Sequence, residues 1–536
     1  MDNKKQNRIE RWFTKPYQPG LALPAALLIM AMGICVLWVK AGMDNDSYYM
    51  IAQGREILSS GIPYENAFTF MDDRIVVQQW LYCVLIALAD KIPGNWGLLF
   101  FMLVQAMALA ITISVYIRKS IRDPFWVWLA ASLVMIVPHT QYIASLRPEN
   151  LTLILMLLQM MSLEAYRDTG RKAYLLTLPA VMLAEANFHI SMWPIHVCVY
   201  LAYFVPYFLP KWEKKLKLKF SVCPGLLNPD GVKPDKYAVL AVISSLAVLF
   251  INPYGWDGIM YLFRSMPVFQ LVGVTEQEGV YLLSRDTVVN AAMIVLTVIL
   301  ARHKKIHATE ACMVLGLTAL ACTNYHNTMY MPVAVAVMAR VLLRCLAERD
   351  PAEAKTLMPN GVKSVLLAGV LAFAMISAFY TLPKLQIFTD KHGMDPVINY
   401  ILENKRPGDR IFNNMNMGPM LEYYGVKDLY SDTRPELLMP AITGCEENYA
   451  RLMPWLGRCI SSDYIDERYH NDIGEYLDQN RITYVTDTMP KPILPYLAGW
   501  LDNSPDWRRV ELAAPDEIKT ADKRIYCIWE RVESDG

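Results

Sequence analysis

The sequence predicts a mostly α-helical, polytopic membrane protein that ends in a small α/β domain. Of its 536 residues, 54% are hydrophobic and only 19% are charged, whereas soluble domains carry about 25% charged residues. The mean hydropathy is +0.22. Apolar segments of roughly 16–23 residues recur along the first 383 positions, which is close to the length that crosses a bilayer. We therefore predict a transmembrane module, 1–383, followed by an extracytoplasmic domain, 384–536.

Eleven apolar segments are candidate spans. They lie near 21–42, 95–117, 125–143, 151–166, 174–190, 192–209, 237–252, 286–301, 308–323, 328–346 and 362–383. The stretch 78–91 is apolar but too short to span, so we interpret it as an interfacial or re-entrant helix. The first segment follows a polar, basic start and has no small-residue cleavage site after it, which favours a retained anchor over a signal peptide.

The distribution of Lys and Arg predicts the orientation. If the N-terminus is cytoplasmic, the cytoplasmic connections hold 26 Lys and Arg, and the outer connections before the tail hold seven. Cytoplasmic loops of membrane proteins carry the excess of basic residues. An odd number of spans then leaves the tail outside, so we expect a multi-pass protein of the cytoplasmic membrane with an extracytoplasmic C-terminal domain.

The tail changes character and alternates helix with strand. A proline after Asp395 opens an apolar-periodic run, which is typical of a helix start. The remaining expected elements are short strands at 410–412 and 428–430, a helix near 469–480, a strand at 482–485 and a closing strand at 524–529. This alternation indicates a small α/β domain.

Unusual polar residues collect on the predicted outer face. They are Asp44, Asp46, Gln78, Gln79, Arg147, Glu149, Asn150, Asn187, His189, Glu276, Glu278, Asn324, His326 and Asn327. Each has an ordinary structural explanation. Asp46 would cap a helix over 47–59, a lone arginine beside a lipid boundary snorkels, and a lone histidine or asparagine is usually a satisfied hydrogen-bonding group. These explanations do not predict that all of these residues lie on the same face of the membrane.

Several function classes lack support. The formal net charge is zero and no basic tract is interleaved with aromatic residues, so nothing indicates nucleic-acid binding. The chain has neither a Gly-rich phosphate loop nor a G-x-S-x-G turn. Its ten cysteines show no metal-ligand spacing. Cys445 and Cys459 would form a disulfide only in an extracytoplasmic tail, and the sequence leaves this open.

The outer polar residues suit transfer onto an acceptor hydroxyl. Asp44 or Asp46 would accept the proton of the attacking hydroxyl, and the planar Arg147 guanidinium would balance charge on a departing phosphate. Sugar or cation ligands would come from Glu149, Asn150, Asn187, His189, Gln79, Glu276, Glu278 and His326. A divalent cation, Mg or Mn, is the one cofactor these side chains would suit, with Asp46, His189 and His326 as candidate metal ligands.

Short motifs spread over most of the chain resemble a known superfamily. They include Asp44-Asn-Asp46-Ser-Tyr-Tyr, Gly54-Arg-Glu-Ile, Gln79-Trp-Leu, Ser145-Leu-Arg147-Pro-Glu149, Asn187-Phe-His189, Asn252-Pro-Tyr-Gly255, Phe412-Asn413 and Asp432-Thr-Arg434. With these motifs the chain resembles the integral-membrane glycosyltransferases of the GT-C superfamily. It looks most similar to a bacterial multi-pass branch with an extracytoplasmic C-terminal domain.

The resemblance implies a membrane glycosyltransferase of the cell envelope. Its donor would be a polyprenyl-phosphate-linked sugar, and its acceptor a glycan, lipid or protein at the outer face. The first outer loop, 43–94, would carry the catalytic acid residue, which falls on Asp44 with Asp46 as second choice. Interfacial helices would lie at 47–59 and 78–91. The chain differs from the branch at Ala184-Glu185-Ala186, where a tryptophan-rich motif is expected, and at Glu276-Gln-Glu278.

Two other functions are consistent with a polytopic chain. A lipid or glycan transporter would show inverted repeats and ionisable residues near the midplane of the membrane. A non-catalytic scaffold would bind an envelope partner through its outer domain, but it would not need carboxylates where spans end. For the enzyme we expect membrane lipid and the lipid-linked donor as partners, and no nucleic acid.

Overall fold

The structure is a computed structural model of the full chain. It describes residues 43, 45–70, 74–121, 123–136, 145–216, 230–272, 285–348, 394–413, 417–432, 434, 442, 468–489, 495–512 and 525–532, with isolated positions at 28, 362, 363, 365 and 369. Asp44, Glu276, Glu278, Cys445 and Cys459 lie outside the described residues. So do nearly all of the predicted spans 21–42 and 362–383.

The described chain is mostly helical. Its helices are α1 (Asn45–Ser60), α2 (Trp80–Asp90), α3 (Trp96–Arg118), α4 (Pro124–Ile136), α5 (Glu149–Thr169), α6 (Thr177–Phe188), α7 (Trp193–Leu216), α8 (Lys236–Ala247), α9 (Gly255–Val272), α10 (Arg285–Arg302), α11 (Ala308–Ala321), α12 (Met331–Ala347), α13 (Asp395–Asn404), α14 (Gly418–Tyr423), α15 (Arg468–Gln479) and α16 (Pro495–Asn503). Its strands are β1 (Arg410–Phe412), β2 (Ile482–Met489), β3 (Trp507–Arg509) and β4 (Ile525–Arg531).

Several helices are long and apolar enough to cross a membrane. Three pass a test of length and composition, and they cover Trp96–Arg118, Ile190–Trp212 and His326–Ala347. The number of candidate spans is four if the bent apolar pair, Lys236–Phe250 and Gly255–Met266, is counted as one broken span. The chain is therefore a polytopic membrane protein, although the described residues do not show eleven full spans.

Within the described residues, short helices account for part of the difference in count. Apolar helices of 10–17 residues occupy Pro124–Met135, Thr287–Arg302 and Ala308–Ala321, where the sequence predicted spans. At 1.5 Å per residue, a helix of about 14 residues covers roughly 21 Å, less than the ~30 Å hydrocarbon core. Hydropathy alone does not show where a helix ends, so the sequence predicts these segments to be full spans.

The chain divides into two compact units. The first combines Met1–Lys40, Leu99–Asn252 and Glu276–Leu385, and the second combines Ala41–Leu98, Pro253–Thr275 and Gln386–Gly536. The helical unit therefore holds most of the predicted spans. The second unit groups the first outer loop and α9 with the C-terminal tail. The predicted domain boundary at 383/384 falls outside the described residues and stays a prediction.

A buried ion-pair network ties one end of the helical unit together. Arg340 on α12 donates to both carboxylate oxygens of Glu164 on α5, at 2.7 and 2.8 Å. Lys119 and the Tyr203 hydroxyl donate to the same carboxylate at 3.2 and 3.0 Å. The Arg340 guanidinium also lies over the Tyr116 ring, 4.5 Å from its centroid. Because Glu164 is 15 residues after the start of α5, this network lies about 22 Å from the start of that helix.

The second unit contains a four-stranded mixed sheet with strand order β1-β2-β4-β3. β1 pairs with β2 in parallel, and β2 and β3 each pair with β4 in antiparallel. The predicted strands at 410–412, 482–485 and 524–529 and the helix near 469–480 are confirmed within one to four residues. A small α/β arrangement thus follows the helical region, as the sequence predicted.

The first outer loop extends this sheet. Phe70 N–H donates to the Leu429 carbonyl at 3.0 Å, and Leu429 N–H donates to the Phe68 carbonyl at 2.9 Å. On its other side, the segment around Leu429 pairs with Ile411 of β1. Residues 428–430, expected as a strand, therefore form isolated bridges between the loop and β1.

Helices α1 and α2 of the loop pack closely at Gly54. A Cβ at this position would lie 1.9 Å from the Cys83 carbonyl oxygen, so only glycine allows the two backbones to approach this closely. Asp46 lies inside the first turn of α1, which begins at Asn45. The expectation that Asp46 caps a helix starting at 47 is wrong, because α1 begins two residues earlier.

The predicted loop 253–285 is also partly helical. Helix α9 covers Gly255–Val272, directly after the turn at Asn252–Gly255. Gly255 adopts φ 52°, a left-handed conformation that glycine tolerates. The turn predicted from Asn-Pro-Tyr-Gly is thus present, and the apolar residues after it continue as a helix.

Candidate functional site

In the second unit, the carboxylate segment of the first outer loop lies at the start of α1. Asp46 is half-buried in the first helical turn, where the helix dipole stabilises a negative charge. Residues 47–54 of the same helix are buried. The segment is therefore held by a buried helix, although the structure does not describe Asp44 itself.

Gln79 supports this helix from the neighbouring element. Its amide Nε2 donates to the Tyr49 hydroxyl, and its side chain is buried. Gln79 was predicted to bind substrate. The contact with Tyr49 instead places Gln79 between α1 and the start of α2, where it orients the aromatic side chain.

In the helical unit, three predicted site residues cluster at the start of α5. Arg147, Glu149 and Asn150 have exposed fractions of 7%, 4% and 0%. The sequence explained Arg147 as a snorkelling side chain at a lipid boundary. Its burial excludes that explanation, because a snorkelling guanidinium reaches water. A buried guanidinium needs anionic or hydrogen-bonding partners.

Two predicted histidines belong to the same cluster. His189 lies at the C-terminal end of α6, and its imidazole is within electrostatic range of His326 and Arg147. His189 is 5% exposed, and its Nδ1 has no hydrogen-bond partner among the described residues. Of these three groups the guanidinium is always charged, and a buried guanidinium favours an anionic partner.

Asn187 has an ordinary structural role. Its amide donates to the Leu183 carbonyl one turn earlier in α6 and to the Ile251 carbonyl after α8, both at 2.9 Å. These contacts tie α6 to the end of α8. The alternative that Asn187 is a hydrogen-bonding group between helices is therefore the better description.

A buried polar chain that the sequence analysis did not select runs between α5, α6 and α7. The Thr152 hydroxyl donates to Glu185 Oε1 at 2.7 Å, and Glu185 Oε2 lies 3.1 Å from His196 Nε2. His196 Nδ1 lies 2.7 Å from Gln159 Oε1, while Gln159 Nε2 donates to the His196 carbonyl at 3.0 Å. All four side chains are fully buried.

The donors and acceptors among these four side chains determine how many protons the His196–Glu185 pair holds. The His196 carbonyl can only accept, so the Gln159 amide nitrogen faces it and the Gln159 oxygen faces Nδ1. Nδ1 therefore carries a proton. If neither His196 Nε2 nor Glu185 Oε2 carried a proton, two hydrogen-bond acceptors would face each other and repel. One further proton therefore lies between these two atoms. The His196–Glu185 pair is thus neutral overall, which makes its burial tolerable.

Tyr330 joins the two groups of residues in the helical unit. It lies within electrostatic range of Glu185 and Glu149, and its hydroxyl contacts Met192 Sδ at 3.0 Å. An acid in the apolar stretch 174–190 and a histidine in 192–209 were signals in the sequence, because intramembrane ionisable residues are costly and usually functional. They were missed because neither follows a span end.

The candidate metal ligands do not form a metal site in the described residues. Within that part of the chain, no group of three or more His, Cys, Asp or Glu side chains could hold a metal ion. His189 and His326 approach each other, but Asp46 belongs to the other unit. We therefore derive no step through a cation.

Comparison with known proteins adds information on the fold. No family model matches the sequence, and no curated protein matches it. Two crystal structures of the Archaeoglobus fulgidus oligosaccharyltransferase are similar in three dimensions. The one with a tethered acceptor peptide has a TM-score of 0.51 at 13% identity and covers 89% of this chain and 70% of that chain.

The second structure, of the same oligosaccharyltransferase with Zn and sulfate, has a TM-score of 0.53 at 12% identity. It covers 87% of this chain and 68% of that chain. At such identities the likeness concerns the fold, and a shared fold does not imply a shared function. The comparison therefore shows that the chain is similar in fold to this archaeal oligosaccharyltransferase.

Proposed function

We propose that this protein is a membrane glycosyltransferase of the GT-C kind. It would move a sugar from a polyprenyl-phosphate donor to an acceptor at the extracytoplasmic face. The observation that carries the proposal is the buried Arg147, clustered with His189 and His326 in a chain with an oligosaccharyltransferase fold. The eleven-span topology and the bacterial branch belong to this proposal.

Arg147 is the proposed ligand of the donor phosphate. A guanidinium donates two parallel hydrogen bonds to phosphate oxygens and keeps its charge at every physiological pH. In transfer, negative charge builds on the leaving phosphate oxygen as the bond to the sugar breaks, and a fixed cation stabilises that charge. His189 adds a ring nitrogen that has no hydrogen-bond partner in the described part of the chain, suited to a sugar hydroxyl or a phosphate oxygen.

Asp44 remains the proposed base, with Asp46 assisting. The base would accept the proton of the acceptor hydroxyl as that oxygen attacks the sugar. The first turn of α1 supports the role of Asp46, since the helix dipole there stabilises a negative charge. Glu276 and Glu278 stay proposed sugar or cation ligands, and a divalent cation stays a proposed cofactor.

Identification of the lipid that copurifies with the protein tests whether the donor is a polyprenyl-phosphate sugar. The purified full-length protein should retain a polyprenyl-phosphate sugar, detectable by mass spectrometry. An Arg147→Met variant should retain roughly tenfold less or lower, because one charge-assisted contact to phosphate contributes about 1.5–3 kcal/mol. Arg118→Met is the matched control, since Arg118 is an exposed arginine at the end of α3. Equal retention by the Arg147 variant and the wild type would exclude the phosphate role.

Transfer assays test the base. The double variant Asp44→Asn, Asp46→Asn should insert and melt like the wild type and lose transfer by 10²-fold or more, the usual order for a general base. Normal turnover by the folded double variant would exclude the proposed mechanism. Retained lipid in the same sample separates a defect in chemistry from a defect in donor binding.

A further inference from the structure

Arg434 in the second unit is a buried arginine that the proposed mechanism does not use. It is 8% exposed and follows Asp432 by two positions. Arg434 Nε donates to Asp432 Oδ2 at 3.0 Å, Nη2 donates to the same oxygen, and the Arg434 backbone N–H donates to Asp432 Oδ1 at 2.7 Å. Both oxygens of this buried carboxylate are therefore occupied by one residue.

The Arg434 guanidinium also contacts parts of the chain that are far apart in sequence. Its carbon lies over the Tyr49 ring of α1, 5.1 Å from the centroid. Its Nη2 lies 3.7 Å from Glu422 Oε1 of α14. Its charge also acts on Cys83 of α2 and on Tyr254 in the turn before α9. Two chain segments of the second unit, those with α1 and α14, thus contact one cation, and the turn before α9 lies within its electrostatic range.

Other contacts bind the same surfaces together. Arg55 of α1 donates to the Tyr423 carbonyl at 2.6 Å and pairs with Asp90 of α2. Tyr423 donates to Asp90 at 3.1 Å, and Tyr48 packs against the Tyr423 ring with centroids 5.2 Å apart. The Arg55 side chain in these contacts is partly exposed, whereas the Arg434 side chain is buried. Arg434 is therefore the buried centre of this packing.

We infer that Arg434 is a positioning residue, through which the C-terminal domain holds α1, and so Asp46 in its first turn, in place. Its cation–π contact with Tyr49 acts on the buried face of α1, one turn after Asp46. Asp432 orients the guanidinium, since Nε and Nη2 both donate to Asp432 Oδ2. The consequence for transfer rests on the proposed function, but the docking of α1 does not.

Hydrogen exchange of the full-length protein in detergent measures the docking. Arg434→Met should raise exchange of the α1 amides by about tenfold, because a buried charge-assisted contact is lost. Amides of β2 and β4 should keep their protection. Arg508→Met is the matched control, since Arg508 belongs to an exposed ion pair with Glu530 on the same domain. Unchanged α1 exchange in Arg434→Met would overturn the inference.

A second variant separates positioning from the cost of an unpaired charge. In Asp432→Asn, Arg434→Met no buried charge is left without a partner, and α1 exchange should still rise because the contact with Tyr49 is gone. Return of α1 exchange to the wild-type rate in this double variant would overturn the inference. Arg434→Lys keeps the charge and should restore the exchange protection of α1 only partly. An ammonium group is not planar and cannot stack on the Tyr49 ring as a guanidinium does.

Transfer and lipid retention complete the test. In Arg434→Met the transfer rate should fall while the amount of retained donor lipid stays at the wild-type level, since α1 is displaced and Arg147 is not altered. Loss of lipid together with transfer would overturn the positioning role. If the wild type retains no phosphate-linked lipid, the proposed function fails, and the exchange of α1 still decides whether Arg434 holds the helix.

Discussion

At the scale of single residues, Glu422 and Asp432 are two buried carboxyl groups beside one arginine. Burial, and then the negative charge of Asp432, hold the pKa of Glu422 well above its usual range, and Arg434 only partly offsets this. This direction favours the protonated form of Glu422, with which the group of three carries Arg⁺, Asp⁻ and a neutral carboxyl. This leaves no unbalanced buried charge.

The raised pKa of Glu422 predicts a pH dependence of stability. An unfolded glutamate ionises near 4.3, so above that pH the unfolded state gains stability by losing a proton that folded Glu422 keeps. Glu422→Gln imitates the protonated carboxyl at all pH values. Its melting temperature, relative to the wild type, should therefore rise between pH 5 and pH 8. A difference that does not change with pH, or that falls toward pH 8, would contradict the assignment.

Two histidines of the helical unit show how neighbours decide the role of one residue type. His196 has both ring nitrogens in contact with partners, Gln159 and Glu185. His189 keeps a buried Nδ1 without a hydrogen-bond partner among the described residues. A satisfied histidine stabilises the bundle, whereas an unsatisfied one beside an arginine indicates a ligand. The sequence selected His189 and not His196, and a ligand role for His189 stays a prediction.

At the scale of elements, close packing of α1 on α2 depends on one glycine. A Cβ on Gly54 would overlap the Cys83 carbonyl oxygen, and a backbone atom cannot move without moving α2. Gly418 at the start of α14 is similar, since a Cβ there would lie 2.3 Å from the Ser431 carbonyl oxygen. Small residues therefore sit where the outer loop and the tail need close backbone approach.

Gly54→Ala should consequently lower stability. Overpacking of a buried contact costs about 1–3 kcal/mol, so the melting temperature in detergent should fall by several degrees. Gly499→Ala on α16 is the matched control, because a Cβ there meets nothing within 4 Å and alanine favours a helix by roughly 0.5–1 kcal/mol. Equal melting temperatures for Gly54→Ala and the wild type would show that α1 and α2 do not pack as described.

At the scale of the whole molecule, topology is the property that most needs a direct test. The excess of Lys and Arg predicts a cytoplasmic connection between α10 and α11 and an extracytoplasmic tail. His303 in that connection and Asp506 in the tail are both exposed, so either accepts a cysteine label without disturbing a core.

Labelling from outside intact cells should therefore differ between the two positions. In a background without native cysteines, a membrane-impermeant maleimide should label Asp506→Cys directly, and His303→Cys only after permeabilisation. The reverse pattern would mean that one more segment crosses the membrane, with 78–91 as the first candidate. Equal protein levels and equal labelling after permeabilisation control for expression.

Much of the fold and part of the candidate site were accessible from the sequence. Helices occur at nine of the eleven predicted spans within the described residues, since hydropathy over about 20 residues reports an apolar helix. The cluster of Arg147, His189 and His326 was also selected in advance. The ends of the short apolar helices and the helix over 255–272 were not, because a polar residue marks a helix end only weakly.

The sequence by itself determined the elements, the mostly helical class, the small α/β tail and the types of residue available for chemistry. These follow from local periodicity, length and charge. Tertiary structure decided that Asp46 belongs to a helix held by the tail through a contact that joins Arg55 to Tyr423 across 368 positions. It also decided that Arg434, Glu185 and His196 are buried polar centres. Contacts between distant segments depend on the packing of the whole chain, and no local pattern reports them.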